Sequence, residues 1–568
     1  MTHEHDVIVV GGVACGPKTA ATLARRRPDL QITLFEKGEY LSYGTCGMPY
    51  FASGDIESFH QLLITGYDVP RDAEFFKQTK GVLVETGAEV LRINRERKVV
   101  TVKHTADGSE REHHYDKLVL ATGANPTTPP FPVAASEKIS TFTRPEQAIA
   151  FRKAAQTGQV GKVVIIGGGF IGCELVEAAA GLWGIETVLI EREPRLLPYG
   201  LDREMALLLE RELKRQEVTV MTGTTVSAIE LDSEGNPLVK IEAGDDLTAD
   251  YIFLCLGVTP EVKLAKAAGL NIGITGGIKV NEHLQTSDPD IYAGGDCIES
   301  THRLTGRSVY LPMGSLANRH GRVIAENIAG NAVEFRDVLG AFMVKVFELN
   351  AGGVGLTEQA AREAGFEVRS VWASFPDKPD YYPEVKTLAA KLLYEDGTQH
   401  LLGLQAVGTG DICRRIDVMS AMLQRRSSVV QLLDFEHGYA PPYAEALDPL
   451  HHLAALAQAQ QRGLVLTNPG LGGIDHSNLP GDATWLDVRE PEESENLPWP
   501  CKGGKLVLIP LNELRGRLAE LESQKKTIIV CRRGPRAYQA ALILKQAGFH
   551  DVEIVGGGTQ ASLGWRNL

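Results

Sequence analysis

Two cysteines stand among residues that suit a thiol to work on sulfur. Cys46 lies in Ser42-Tyr43-Gly44-Thr45-Cys46-Gly47-Met48-Pro49-Tyr50, at the expected start of a helix. A helix dipole there would favour the thiolate, the form that attacks sulfur. Cys531 closes the run Thr527-Ile528-Ile529-Val530, and Arg532-Arg533-Gly534-Pro535-Arg536 follows before a helix expected from Ala537. Backbone N–H groups, the helix dipole and the charges of Arg532, Arg533 and Arg536 are expected to lower that thiol's pKa and hold an anionic persulfide. The eight cysteines, at 15, 46, 173, 255, 297, 413, 501 and 531, include no C-x-x-C pair. Neither a disulfide framework nor a zinc ribbon fits, so each is expected to act as a single thiol. His3, His5, His113-His114 and His451-His452 lack metal spacing with acids or cysteines and read as surface residues, so no metal is expected.

The elements that position these thiols can be read from two glycine turns. Residues 6–36 run strand, glycine turn, helix (Pro17 to Arg27) and strand, ending on the acid Glu36, with Gly11-Gly12-Val13-Ala14-Cys15-Gly16 as the turn. Such a turn lets a pyrophosphate approach the backbone at a helix N-terminus, and the acid takes the ribose hydroxyls. Gly11 and Gly16 hold the first and third glycine places, while Val13 holds the second. The pattern recurs at 162–191 in complete form, as Gly167-Gly168-Gly169-Phe170-Ile171-Gly172, a helix carrying Glu174, and a strand ending at Glu191. Two such units predict two dinucleotides. Glu191 would repel a 2′-phosphate and so favours NADH, with neighbouring Arg192 acting against that preference. Between and after these units stand a strand ending in Ala121-Thr122-Gly123 and the segment Ile291-Tyr292-Ala293-Gly294-Gly295-Asp296.

Composition sets the outer limits. The chain has 568 residues, 43% of them hydrophobic and 23% charged, which is globular and too long for one core. Its 59 glycines follow no G-X-Y period and form no low-complexity tract, so they are expected in specific turns. A net charge of -14 disfavours nucleic acid and anionic lipid as partners. No apolar run is long enough to span a membrane, and the first residues lack a signal peptide's basic region, so the expected location is cytoplasmic.

The order of glycine turn, Ala-Thr-Gly strand, second glycine turn and Gly-Gly-Asp resembles the two-dinucleotide flavoprotein disulfide reductases. The resemblance implies FAD on the first unit, NAD(P)H on the second, and Asp296 on the flavin's ribityl chain. It extends the cofactor set to Lys37, Ser42, Gly257 and Gly295, beside the turn residues, Glu36, Ala121 to Gly123, Glu174 and Glu191. Phe51 stands where the glutathione reductase branch has a second cysteine, so the match is to the single-cysteine branch. That branch comprises coenzyme A disulfide reductases, NADH oxidases, NADH peroxidases and NADH-dependent persulfide reductases, and implies that Cys46 sits against the flavin. Residues 331–456 resemble the family's dimerisation domain. Asp380-Tyr381-Tyr382-Pro383 and Gly438-Tyr439-Ala440-Pro441-Pro442-Tyr443 resemble segments that bring two phenols from the partner subunit to the redox cysteine. Tyr381 and Tyr439 are the first choices, with Tyr382 and Tyr443 as substitutes; a phenol can donate to a leaving thiolate.

The family holds coenzyme A phosphates with basic residues of the first helix, which points to Arg25, with Arg26, Arg27, Lys18, Lys77 and Lys80 nearby. The carrier thiol stays open among coenzyme A, glutathione and inorganic polysulfide. Leu486-Asp487-Val488-Arg489 and Cys531-Arg532-x-Gly534-x-Arg536 resemble a single-domain rhodanese, with Cys531 carrying the transferred sulfur. The expected fold is α/β, with two Rossmann-like dinucleotide-binding domains, an α+β dimerisation domain and a rhodanese-like domain. The expected limits are 1–150 and 276–330 for FAD, 151–275 for NAD(H), 331–456 for dimerisation, 457–473 for a linker and 474–568 for the rhodanese. The implied activity is NADH-dependent reduction of persulfide, polysulfide or coenzyme A disulfide by a homodimer. An NADH oxidase or peroxidase, and a sulfur carrier or redox sensor delivering Cys531 persulfide to a partner protein, are the alternatives.

Overall fold

A computed structural model describes residues 6–463, 466–468, 482–500 and 504–563. The chain divides into two compact units, residues 1–189 with 225–338, and residues 190–224 with 339–568.

In the first unit the near-continuous apolar strands predict a parallel sheet buried on both faces, and that is what forms. Its order is Ile291–Ala293, Lys117–Leu120, Asp6–Val10, Gln31–Glu36 and Leu83–Thr86. All neighbours run parallel, with Val9 beside both Leu34 and Val119. Strand order reverses at Asp6–Val10, the place where an open α/β sheet leaves a crevice for a ligand. The helices Cys15–Arg26 and Gly314–Ile328 pack together. The second glycine turn follows Lys162–Ile166, whose parallel neighbour is Tyr251–Leu254. Its helix starts as Phe170–Val176 and widens to a π-helical turn over Glu177–Leu182. An antiparallel sheet of Ala88–Asn94, Val99–His104 and Glu110–His114 is added between the sheet's crossover segments.

The second unit holds a five-stranded antiparallel sheet in the order Phe342–Val346, Leu349–Gly355, Leu401–Gly408, Thr387–Glu395 and Val368–Pro376. A parallel sheet follows, ordered Leu466–Asn468, Val552–Val555, Thr527–Val530, Thr484–Asp487 and Lys505–Leu508. The expected linker from 457 begins as helix instead. Pro449–Gln461 is one helix because Ala457 and Ala459 are buried, and Leu466–Asn468 pairs with the strand at 553–555. Residues 464–465 and 469–473 of that span lie outside the described residues, as do His3, His5 and Cys501.

Two buried ionic groups brace this unit. Lys391 is 1% exposed and bonds Asp202, Glu204 and Glu358, so the one carboxylate cluster with metal-like spacing among the described residues is held together by an ammonium. Asp487 and Arg489 are buried together at 2.7 Å, and Asp487 also accepts from the Arg489 backbone and Ser494 Oγ. Removing one member of such a pair strands the other charge away from water. Arg489→Leu is therefore expected to cost about 3–5 kcal/mol, read as a lowered denaturation midpoint of this unit. An unchanged midpoint would show that water reaches Asp487.

His451 corrects the surface reading: it is buried, stacked on Phe435 at 4.3 Å, and its Nδ1 accepts from the Asp448 N–H. His452 stacks on Phe375. The aromatic faces could not be read from spacing to acids or cysteines.

Candidate functional site

The two glycine turns repeat one geometry. Gly11 has φ +107°, and a Cβ there would lie 2.2 Å from the Ala121 carbonyl oxygen; Gly167 has φ +112° and would meet the Cys255 carbonyl oxygen at 2.2 Å. In each turn a Cβ on the third glycine, Gly16 or Gly172, would fall 1.9 Å from the first glycine's own oxygen. The turns are thus locked against the next strand, which leaves the helix start open to a ligand. Gly169, the middle glycine that the first turn replaces by Val13, has nothing within 4 Å of its Cβ position.

Glu36 is buried at the end of its strand and accepts from the Gly12 and Gly38 N–H groups at 2.6 and 2.7 Å. Glu191 is likewise buried and accepts from the Glu193 N–H, whereas Arg192 pairs with Glu193 at the surface. Ala121, Thr122 and Gly123 follow the strand beside the first turn, and Thr122 Oγ1 donates to the Glu261 carbonyl. Gly257 and Gly295 have positive φ; Lys37 and Phe170 are exposed. Ser42 takes φ +47° and its N–H donates to the Gly12 carbonyl, holding the Cys46 segment against the first turn.

Two features fit a polar dinucleotide beside this cradle. Burial pushes the Asp296 carboxyl up to about 6, and the nearby Tyr310 hydroxyl is buried without a hydrogen-bond partner. Polar groups are seldom left so unless another group completes them.

Cys46 sits in the turn Thr45–Gly47 before the six-residue helix Met48–Ser53, is exposed, and is unpaired. Phe51 is buried, with the Arg152 guanidinium 4.5 Å over its ring. Contrary to the expected dipole effect, the thiol's pKa is raised: desolvation dominates, and the carboxylates of Glu174 and Asp296 add to it. The helix is too short for its dipole to outweigh those terms. A Cβ on Gly314, the first residue of the fifteen-residue helix, would lie 3.8 Å from the Cys46 sulfur.

Glu174 is itself pushed up to about 7 by burial and by Glu177. In the unfolded chain it titrates near 4.5, so the neutral form contributes stability that is complete below that pH and lost as pH rises through about 7. Wild-type apoprotein is expected to lose on the order of 2 kcal/mol relative to Glu174→Gln between pH 5 and 8, after allowing for partial solvent screening. Parallel melting curves for the two across that range would show the carboxyl to be solvated.

In the second unit Tyr381 and Tyr439 are the phenols that meet. After desolvation, the neighbouring Tyr439 hydroxyl raises the Tyr381 pKa, and the two are 75% and 51% exposed. Tyr382 instead lies under Lys378, and Tyr443 is exposed. Cys531 lies at the end of its strand before the helix Pro535–Gln546, and accepts from the Gly534 N–H at 3.0 Å. The surrounding N–H groups and Arg536 favour its thiolate as expected. Complete burial outweighs them, however, so the net shift is upward and corrects the sequence reading.

The three loop arginines also separate. Arg536 makes a two-bond pair with Glu493, and Arg533 is tied to Asp380, while the buried Nε of Arg532 has no partner. Glu493 and Asp380 were not legible as site residues, because their relation to the loop is purely tertiary. Among the basic residues of the first helix, Arg26 pairs with Glu326 and Arg27 with Asp29. Arg25 reaches only Thr22 Oγ1 among the described residues, Lys18 and Lys77 are exposed, and Lys80 lies 5.0 Å over Phe75. The segment bearing Lys77 and Lys80 packs on that helix.

Residues 5–313 match the profile of pyridine nucleotide-disulphide oxidoreductases, 342–451 that of the family's dimerisation domain, and 475–563 that of rhodanese-like domains. The chain is 34% identical over 453 residues to an NAD(P)H coenzyme A polysulfide/persulfide reductase of Pyrococcus horikoshii, covering 79% of this chain and 98% of the relative. An NAD-dependent persulfide reductase from A. fulgidus superposes with TM-score 0.93 and 38% identity, over 99% of this chain and all of the other. The reduced CoADR-RHD of Bacillus anthracis gives TM-score 0.88 and 32% identity, over 98% and 97%. No helix among the described residues is long and apolar enough to cross a membrane.

Proposed function

Because the chain belongs to the pyridine nucleotide-disulphide oxidoreductase family and ends in a rhodanese-like domain, we propose that it reduces small persulfides, polysulfides or coenzyme A disulfide with NADH through Cys46. The reading includes a homodimer and the domain limits given above, except that 457–461 belong to the helix Pro449–Gln461 and not to the linker. FAD would lie on the turn 11–16 with Glu36 and Asp296, and NADH on the turn 167–172 with Glu191. When bound, the flavin supplies the route by which a hydride's electron pair reaches sulfur. The protein's own work is to hold one thiol and the protons around it. Cys46 as thiolate attacks one sulfur of an S–S bond; that bond breaks and the other sulfur leaves as a thiolate. In the homodimer Tyr381 of the partner subunit, paired with Tyr439 of the partner subunit, donates the proton that the leaving sulfur needs. Overall, one persulfide, one NADH and one proton give one thiol, one hydrogen sulfide and one NAD⁺.

The observation that carries this reading is Cys46 itself: a free, exposed thiol next to Glu174 and Asp296 of the two dinucleotide motifs, with a buried Phe51 where a resolving cysteine would have to be. Arg25, Lys77 and Lys80 would take the phosphates of a coenzyme A carrier, and Arg532 an anionic sulfur donor at Cys531. NADH oxidation measured without oxygen on coenzyme A persulfide, glutathione persulfide, polysulfide and coenzyme A disulfide tests the assignment. Turnover only with oxygen or peroxide would replace it by an oxidase or peroxidase. Glu191 adds a further expectation: kcat/KM for NADH should exceed that for NADPH by about tenfold or more, the effect of one unfavourable charge contact. Equal values would mean that Arg192 governs the choice.

A further inference from the structure

Arg533 is the loop arginine tied to a turn outside its own loop. Its Nη1 donates to both oxygens of Asp380 at 2.8 Å, and its Nε donates to Gln560 Oε1 at 3.1 Å. Gln560 in turn donates to Thr387 Oγ1, and the Arg533 carbonyl accepts from the Ser374 N–H. The loop is braced from its other side too. Ser374 Oγ donates to the Gly557 carbonyl, and Gly556 lies so close to Trp372 that a Cβ would fall 2.1 Å from the indole nitrogen. The Cys531 loop is therefore fastened to the strand Val368–Pro376 and to the turn that follows it. That turn places Asp380 directly before Tyr381, whose hydroxyl interacts with Tyr439.

We infer that Arg533 is a positioning residue for the Tyr381–Tyr439 pair, acting through Asp380, so that the sulfurtransferase loop sets the placement of the reductase's phenols. The inference rests on the reading of those phenols as proton donors. The asymmetry of the pair supports the direction of control. The Arg533 side chain is 16% exposed and held by Gln560 as well as Asp380, with its own carbonyl held by the Ser374 N–H, whereas Asp380 is 63% exposed. The half-buried guanidinium is the anchor, and the exposed turn is what it holds. Glu445 also faces Asp380 and Arg533, and Lys378 covers Tyr382 beside Tyr381.

The test uses the full-length, flavin-loaded protein, with coenzyme A persulfide as substrate and anaerobic NADH oxidation read across pH. Arg533→Gln should lower kcat by about fivefold, a modest factor because Asp380 is exposed, and leave KM for the persulfide within about twofold. Its alkaline limb should move to lower pH, since a freed Tyr381 loses the Tyr439 interaction that helps raise its pKa. Asp380→Asn should give the same change, the double variant no further loss, and Arg533→Lys a partial recovery. Wild-type kcat and alkaline limb in Arg533→Gln would overturn the inference. If that variant loads flavin poorly, the exposed Asp380→Asn decides in the same terms. Tyr381→Phe separates the two levels: a loss there with none at Arg533 or Asp380 overturns the inference alone, and no loss at Tyr381 overturns the proton-donor reading on which it rests.

Discussion

Cys46→Ser is expected to bind flavin and to be bleached by NADH as the wild type is, yet to lose persulfide reduction by a factor of about a thousand or more. The size follows from the single-thiol arrangement. Serine's hydroxyl has no accessible anion near neutral pH, and Cys46 is a free thiol with no disulfide partner. Of the other cysteines near the cradle, Cys15 and Cys297 are buried, and burial raises both thiols. Neither can stand in. The raised pKa of Cys46 sharpens the expectation: in the wild type, activity should climb with pH as the thiolate forms against the charges of Glu174 and Asp296. Near-normal reduction by the serine variant, measured as NADH consumed on coenzyme A persulfide, would remove Cys46 from the chemistry.

Cys531→Ser is expected to divide the activities. Sulfur transfer from thiosulfate or polysulfide to an acceptor should fall below detection, because the transferred atom has no other carrier in that loop. Reduction of preformed coenzyme A persulfide should stay within about twofold of wild type, since a small soluble persulfide can reach Cys46 without Cys531 and serine keeps the loop's shape and hydrogen bonding. Loss of all reductase turnover would make Cys531 an obligatory relay. No change with any donor would make the rhodanese-like domain a docking module. The arginines give a finer reading of the same site. Arg532 carries the unpartnered buried Nε and is the group expected to meet an anionic donor, whereas Arg536 is held by Glu493 and Arg533 by Asp380.

Much of this was legible in local spacing. Gly11 and Gly16, and Gly167 and Gly172, follow from what a strand-to-helix turn allows, and Glu36 and Glu191 from the strand ends that carry them. The cysteine at the end of Thr527–Val530 announces its loop in the same way. What spacing could not supply was sign and partnership. A helix start beside a cysteine argues for a lowered pKa, but desolvation is a property of everything packed around the sulfur, and it reversed the direction at both Cys46 and Cys531. Three arginines in one loop read alike until Glu493 and Asp380, 43 and 153 positions away, each claimed one. The choice of Tyr381 and Tyr439 over Tyr382 and Tyr443 drew on family resemblance. The interaction between their hydroxyls belongs to the fold.

The central claim is that hydride electrons from NADH leave this protein on sulfur. The most direct measurement is the anaerobic ratio of hydrogen sulfide released to NADH consumed, with coenzyme A persulfide as the only acceptor. The account predicts a ratio of one, with one thiol formed per turnover. NADH consumption without sulfide, or consumption that appears only when oxygen is admitted, would contradict it.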